Sequence, residues 1–240
     1  LHDALPIFAA GAIAKKFLEA LGITVTAYTR AIGPITVAPE AFCLDECREN
    51  PVNMPSNQVA EEALAFIAEA KANCDSVGGV VECMITGLKP GIGETVFDKL
   101  DARLAYAIMG IGAVKAFEMG SGIEAAKMLG SKYNDAFYST DGKVNKHTNH
   151  SGGTLGGMSD GSDLIFKAHF KPTPSIAKAQ QTINTSGENT QIEIHGRHDP
   201  VIVPRAVVVV ESMAALTLAD LILCDLGANM DHIKALYSKK

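Results

Sequence analysis

Positive charge is in short supply: 21 Lys and Arg stand against 27 Asp and Glu, with no polybasic run. A field of that sign repels nucleic acid and anionic membranes, so neither is expected as a partner. Cysteine is also sparse. Cys43, Cys47, Cys74, Cys83 and Cys224 are odd in number and form neither a CxxC pair nor a His/Cys cluster of zinc-site type, which points away from a metal and towards a reducing cytoplasm. Long apolar runs are missing as well. The two most apolar segments, 201–210 and 214–223, are broken by Pro204, Arg205, Glu211 and Asp220, and no membrane-spanning helix is expected. A Walker phosphate loop, internal repeats and low-complexity tracts are absent too.

What remains is a chain of 240 residues, 47% of them apolar, enough to bury a core as one large domain or two modest ones. The first seven residues, LHDALPI, hold no initiator Met and no basic flank of a signal peptide. They read as a non-family leader or a truncation scar.

Helical periodicity runs through residues 9–21 and 57–73, the second with Ser56 as N-cap, and again through 97–109 and 207–223. A short helix is expected at 123–129. Strand alternation marks 23–29, 80–86, 113–119, 164–170 and the vicinity of 191–195. Residues 33–55 read as a surface excursion and 133–149 as a polar loop. With irregular alternation of elements and one-sided strands, the fold class expected is α+β, a layered sandwich of helices and mainly antiparallel sheets.

Three stretches in the later part of the chain concentrate chemistry. In "HSGGTLGGMSDG" five glycines lead into a strand, not a helix, which argues against a Rossmann fingerprint but lets backbone N–H groups reach a ligand. "FKPTPSI" then supplies the Lys171 cation and the Thr173 and Ser175 hydroxyls on backbone stiffened by Pro172 and Pro174, a combination that suits a phosphate and equally suits a solvated turn. "GRHDP" brings Arg197, His198 and Asp199 between apolar runs, either for function or as an ion pair closing a loop. Arg205, flanked by valines, must be paired or meet an anion. Asn149, His150, Asp75 and Ser76 rank lower, and Glu94 and Asp98 suit a helix N-terminus for dipole reasons alone.

Seven strings, in order, resemble the chorismate synthase family: "AAGAIAKKFL", "DSVGGVVE", "GIGETVFDKLDARLA", "AVKAFEMGSG", "NHSGGTLGGMSDG", "KPTPSIAKAQQTIN" and "GRHDPVIVPRAV". The resemblance covers residues 9–223 and implies a family domain at 9–226, with 1–8 as leader and 227–240 as a variable tail. It implies a lyase of the shikimate pathway, which converts 5-enolpyruvylshikimate 3-phosphate to chorismate by 1,4-elimination of phosphate, using reduced FMN. NADPH enters only as a flavin reductant.

Carried over by motif, Gly112, Ala113, Gly156, Lys171, Pro172, Thr173, Pro174, Ser175 and Arg197 would contact FMN, and Asp199 would manage the proton at flavin N5. Arg205 is assigned to a substrate or cofactor anion by its position alone. The family's N-terminal portion, with its histidine motif and substrate-gripping arginines, has no counterpart here, so the chain is expected to be inactive by itself, with apolar surface left exposed. The family also implies a homotetramer in the cytoplasm. Two other readings are a different FMN- or sugar-phosphate-binding enzyme and a non-catalytic binding module.

Overall fold

The computed structural model of the chain describes residues 4–196 and 198–238. In chain order the elements are α1 (Ala4–Glu19), β1 (Thr24–Ile32), β2 (Ile35–Thr36), α2 (Asn57–Ala72), β3 (Gly79–Thr86), α3 (Leu100–Met109), β4 (Val114–Met119), α4 (Gly130–Tyr133), β5 (Phe137–Thr140), β6 (Lys143–Lys146), β7 (Thr154–Leu155), β8 (Met158–Ser159), β9 (Leu164–Phe170), β10 (Gln180–Ile183), β11 (Asn189–Ile192), α5 (Val203–Ala228) and α6 (Met230–Tyr237). Short 3-10 turns occupy Pro39–Ala41, Leu44–Arg48 and Gly122–Lys127.

The main sheet has the order β2-β1-β3-β9-β4, and β5-β6, β7-β8 and β10-β11 form antiparallel two-stranded ribbons. The mixture of helices and antiparallel sheet is the α+β class expected. The chain divides into two compact units: residues up to 27, 82–168 and from 208 on form the first, and 28–81 with 169–207 the second. Strands β1, β3 and β9 and helix α5 each run through a division point.

In the first unit, α3 turns Leu100, Leu104 and Ile108, each fully buried, to one side. Their fourfold spacing is the helical repeat that the sequence displays. Phe97, expected on the same face, lies before the helix and is 92% exposed. In β9, Leu164, Phe166 and Ala168 are fully buried, and Phe117 stacks on Phe166 at 5.2 Å. Glu211 on α5 binds two segments at once: it pairs with Lys15 of α1 and accepts the Ala27 N–H of β1 at 3.0 Å.

Helix α5 corrects the membrane expectation. Its 26 residues, with mean hydropathy 2.1 over the best window, are long and apolar enough to cross a membrane. Pro204 and Arg205 fall in its first turn, where proline is tolerated, so they do not break the run. Half of that window is buried inside the protein, as in a core helix.

The second unit corrects another reading. The supposed surface excursion carries Val37, Val52 and Met54, which pack with Ile32, Ala60, Ala63 and Val77 into a buried cluster. Burying each of its Val, Ile and Met side chains contributes about 1.5–3 kcal/mol, and the prolines shape the path without keeping it at the surface. Ser56 caps α2 as expected, its Oγ accepting the Val59 N–H at 3.4 Å. The polar stretch 133–149 holds the β5–β6 hairpin, whose residues are nearly all exposed and so show no apolar alternation.

Candidate functional site

The glycine-rich stretch lies in the first unit and is held by buried charge. Lys146 Nζ donates to Asp160 Oδ2 at 2.7 Å and to Asn149 Oδ1 at 3.1 Å, and lies 3.6 Å from Asp135 Oδ2. The three charged side chains are only 4–6% exposed. Asp135 also accepts the Thr148 hydroxyl and the N–H groups of His150 and Ser151, at 2.7–3.0 Å. Burial pushes its carboxyl up, but the hydrogen bonds from Ser151, Thr148 and His150, with the Lys146 charge, outweigh that and bring it down to about 2. Asp160 is held low against burial by Lys146 and Ser162.

Asn149 extends the clasp, accepting the Gly153 N–H and donating to the Asp163 carbonyl, both at 2.8 Å. His150 is likewise engaged, with Nδ1 2.9 Å from Ser121 Oγ and its ring stacked on Tyr133. Gly156 and Gly157 form the two-residue turn between β7 and β8, with φ of 62° and 93°, the positive values that such hairpins require. A Cβ at Gly156 would meet nothing within 4 Å, so its backbone is open to a ligand.

The Leu100 N–H donates to the Gly157 carbonyl at 2.7 Å, tying this turn to the start of α3. Gly112 and Ala113 follow the other end of that helix, about 15 Å away along its axis, with Ala113 at φ 71°. Gly156 and the Gly112–Ala113 pair are therefore not neighbours within the unit.

The second unit brings the other candidates together. The Ser76 hydroxyl donates to the Thr173 carbonyl at 2.7 Å, the Thr173 hydroxyl donates to the Asp199 carbonyl at 3.2 Å, and Arg205 Nη1 donates to Asp199 Oδ2 at 2.5 Å. Val77 N–H donates to the Pro200 carbonyl at 2.7 Å and Val77 pairs with Val201 in a parallel bridge. Gly78 makes the close approach possible: a Cβ there would lie 2.4 Å from the Phe170 carbonyl oxygen.

Lys171 is half-buried at the end of β9 and, among the described residues, has no carboxylate within ion-pair distance. His198 Nε2 is buried without a hydrogen-bond partner among the described residues. Lys171, with no carboxylate partner among the described residues, shares its segment with the Thr173 and Ser175 hydroxyls, a donor set that suits an anionic group. Arg197 lies outside the described residues.

Arg205 does not sit as its valine neighbours suggested. Its side chain is 52% exposed in the first turn of α5 and is satisfied by Asp199, so no buried charge demands a ligand. Helical geometry explains the difference, because Val203, Ala206, Val207 and Val210 are buried while Arg205 points away. Asp98, read as a dipole partner, accepts from Arg103, which also reaches Asp220 at 2.5 Å.

Two concavities are lined by other residues. One of about 630 Å³ in the first unit runs between α3 and α5, bordered by Phe97, Arg103, Tyr106 and Asp220. Another of about 330 Å³ in the second unit is bordered by Phe66, Glu69, Ser76 and the Asp75–Lys178 pair. The thiols offer little nucleophilicity in the interior: burial pushes Cys47 up to about 12 and Cys83 well above the ordinary range.

The fold and these loops define a class, an α+β protein with clamped glycine turns and a hydroxyl-rich lysine segment suited to an anionic cofactor. Comparison with known proteins makes it specific. The sequence model of the chorismate synthase family matches residues 3–223, and the chain belongs to that family.

It is 57% identical over 231 residues to chorismate synthase of Agathobacter rectalis and 56% identical over 232 residues to that of Lachnoclostridium phytofermentans, covering 96% of this chain and 63% of each relative. The chain thus spans less than two thirds of the length of these curated relatives. A crystal structure of chorismate synthase is similar at a TM-score of 0.77 and 30% identity, over 96% of this chain and 66% of that one.

Proposed function

We propose that this chain carries the flavin-facing part of a chorismate synthase that converts 5-enolpyruvylshikimate 3-phosphate to chorismate and phosphate by 1,4-elimination. Family membership supports the reaction class, and one observation on this chain carries the reading to residues: Lys171, with no carboxylate partner among the described residues, lies two residues from Thr173, whose hydroxyl donates to the Asp199 carbonyl. Reduced FMN, when bound, supplies transient electron density to an elimination that involves no net oxidation.

Lys171 Nζ and the Thr173 and Ser175 hydroxyls bind a phosphate, Pro172 and Pro174 keep those donors in place, and Arg197 adds cofactor contact. Asp199 would hold or return the proton at flavin N5. Gly112, Ala113 and Gly156 offer backbone contacts. NADPH serves only as a flavin reductant, and the working protein is a cytoplasmic homotetramer.

The test is anaerobic conversion of 5-enolpyruvylshikimate 3-phosphate with reduced FMN, by the protein expressed from its complete open reading frame. Chorismate formation is the expected outcome. A folded protein that binds FMN but releases no phosphate would instead be a different flavin enzyme. Failure to bind any flavin would make these loops structural.

A further inference from the structure

We propose that Ser76 and Arg205 are positioning residues that restrain Asp199 from two sides, an inference that rests on the function proposed above. Three side-chain hydrogen bonds run Ser76 to Thr173 to Asp199, and Arg205 to Asp199, at 2.7, 3.2 and 2.5 Å. They link positions up to 97 residues apart. The Val77 bond to Pro200 and the close pass of Phe170 over Gly78 lock the same three segments backbone to backbone.

Asp199 is consequently fixed at its carbonyl by Thr173 and at Oδ2 by Arg205, while Oδ1 has no hydrogen-bond partner among the described residues. That oxygen is the one left to face a proton. The Arg205 contact holds one carboxylate oxygen in place and balances the carboxylate charge. An ion pair with side chains 52% and 35% exposed contributes little to stability, so its effect is on orientation, where a displacement of about 1 Å can cost on the order of 100-fold in rate.

The experiment compares wild type, Ser76→Ala, Arg205→Met and Arg205→Lys, each from the complete open reading frame, by FMN titration, steady-state kinetics and hydrogen–deuterium exchange of the ligand-free protein. Arg205→Met is expected to lower kcat roughly 10–100-fold while KM and the FMN Kd stay within about twofold, and Arg205→Lys to recover part of the loss. Ser76→Ala is expected to lower kcat about tenfold and to speed exchange over residues 198–201.

A raised KM with unchanged kcat in Arg205→Met would mean that Arg205 grips the substrate, and would overturn the proposal. Wild-type kcat in both Ser76→Ala and Arg205→Met would overturn it too. Should wild type show no turnover, the functional reading fails and exchange still decides: unchanged rates over 198–201 in both variants would refute the restraint, and faster rates would uphold it.

Discussion

The two charged clusters are built in opposite ways. Lys146, Asp135 and Asp160 in the first unit are 4–6% exposed and satisfied by one another and by backbone N–H groups. Asp199 and Arg205 in the second are 35% and 52% exposed, and one carboxylate oxygen has no hydrogen-bond partner among the described residues. Buried charge of the first kind is costly to break and fixes a loop; half-exposed charge of the second kind costs little to keep and stays reachable by a ligand. The contrast separates residues that shape the glycine turn from a pair whose charge stays within reach of solvent and ligand.

The sharpest way to break the comparison is Lys146→Met, which strands two carboxylates in the interior. It should destabilise the protein by about 3–5 kcal/mol in denaturant unfolding; a change below about 1 kcal/mol would mean that the cluster is wetter than its burial indicates.

A smaller effect concerns pH. The folded Asp135 carboxyl sits at about 2 against an ordinary 3.8, so its contribution is complete above the unfolded value and is lost as pH falls from about 4 through about 2. Roughly 2 kcal/mol should disappear across that window. Asp135→Asn should flatten the slope of stability against pH there.

The second unit has its own buried polar flaw: Thr29 is fully buried and its Oγ1 has no hydrogen-bond partner among the described residues. Thr29→Val should therefore gain about 1 kcal/mol, read as a higher Tm. The least stability effect is expected at the half-exposed pair. Asp199→Asn should change stability by less than about 1 kcal/mol while abolishing most turnover, and an unfolding penalty like that of Lys146→Met would erase the distinction drawn here.

Much of this was legible in the sequence where burial and periodicity coincide. Strand β9 alternates because Leu164, Phe166, Ala168 and Phe170 enter the core while Lys167 does not, and α2 starts where a serine can cap it. The β5–β6 hairpin was not legible, since almost every side chain in it meets water. Nor was the start of α5: a proline in a first turn looks like a break when read linearly, and Arg205 looks buried until helical geometry turns it outward.

At the candidate site, the local strings pointed to Lys171, Thr173 and Asp199. The bonds from Ser76 and the Lys146 clasp join partners distant in sequence or hidden in a polar stretch, and no local pattern carries them.

The carboxylate of Glu211 also has a consequence for the order in which the chain is made. The Ala27 amide that it accepts precedes it by 184 residues, and ribosomes add about 5–20 residues per second. The Ala27 amide of β1 therefore waits roughly 10–40 s for its acceptor, and the apolar α5 emerges long after the α1 and β1 residues that Glu211 joins. During that interval a nascent chain holds an unfinished sheet, the kind of incomplete state that is prone to aggregate.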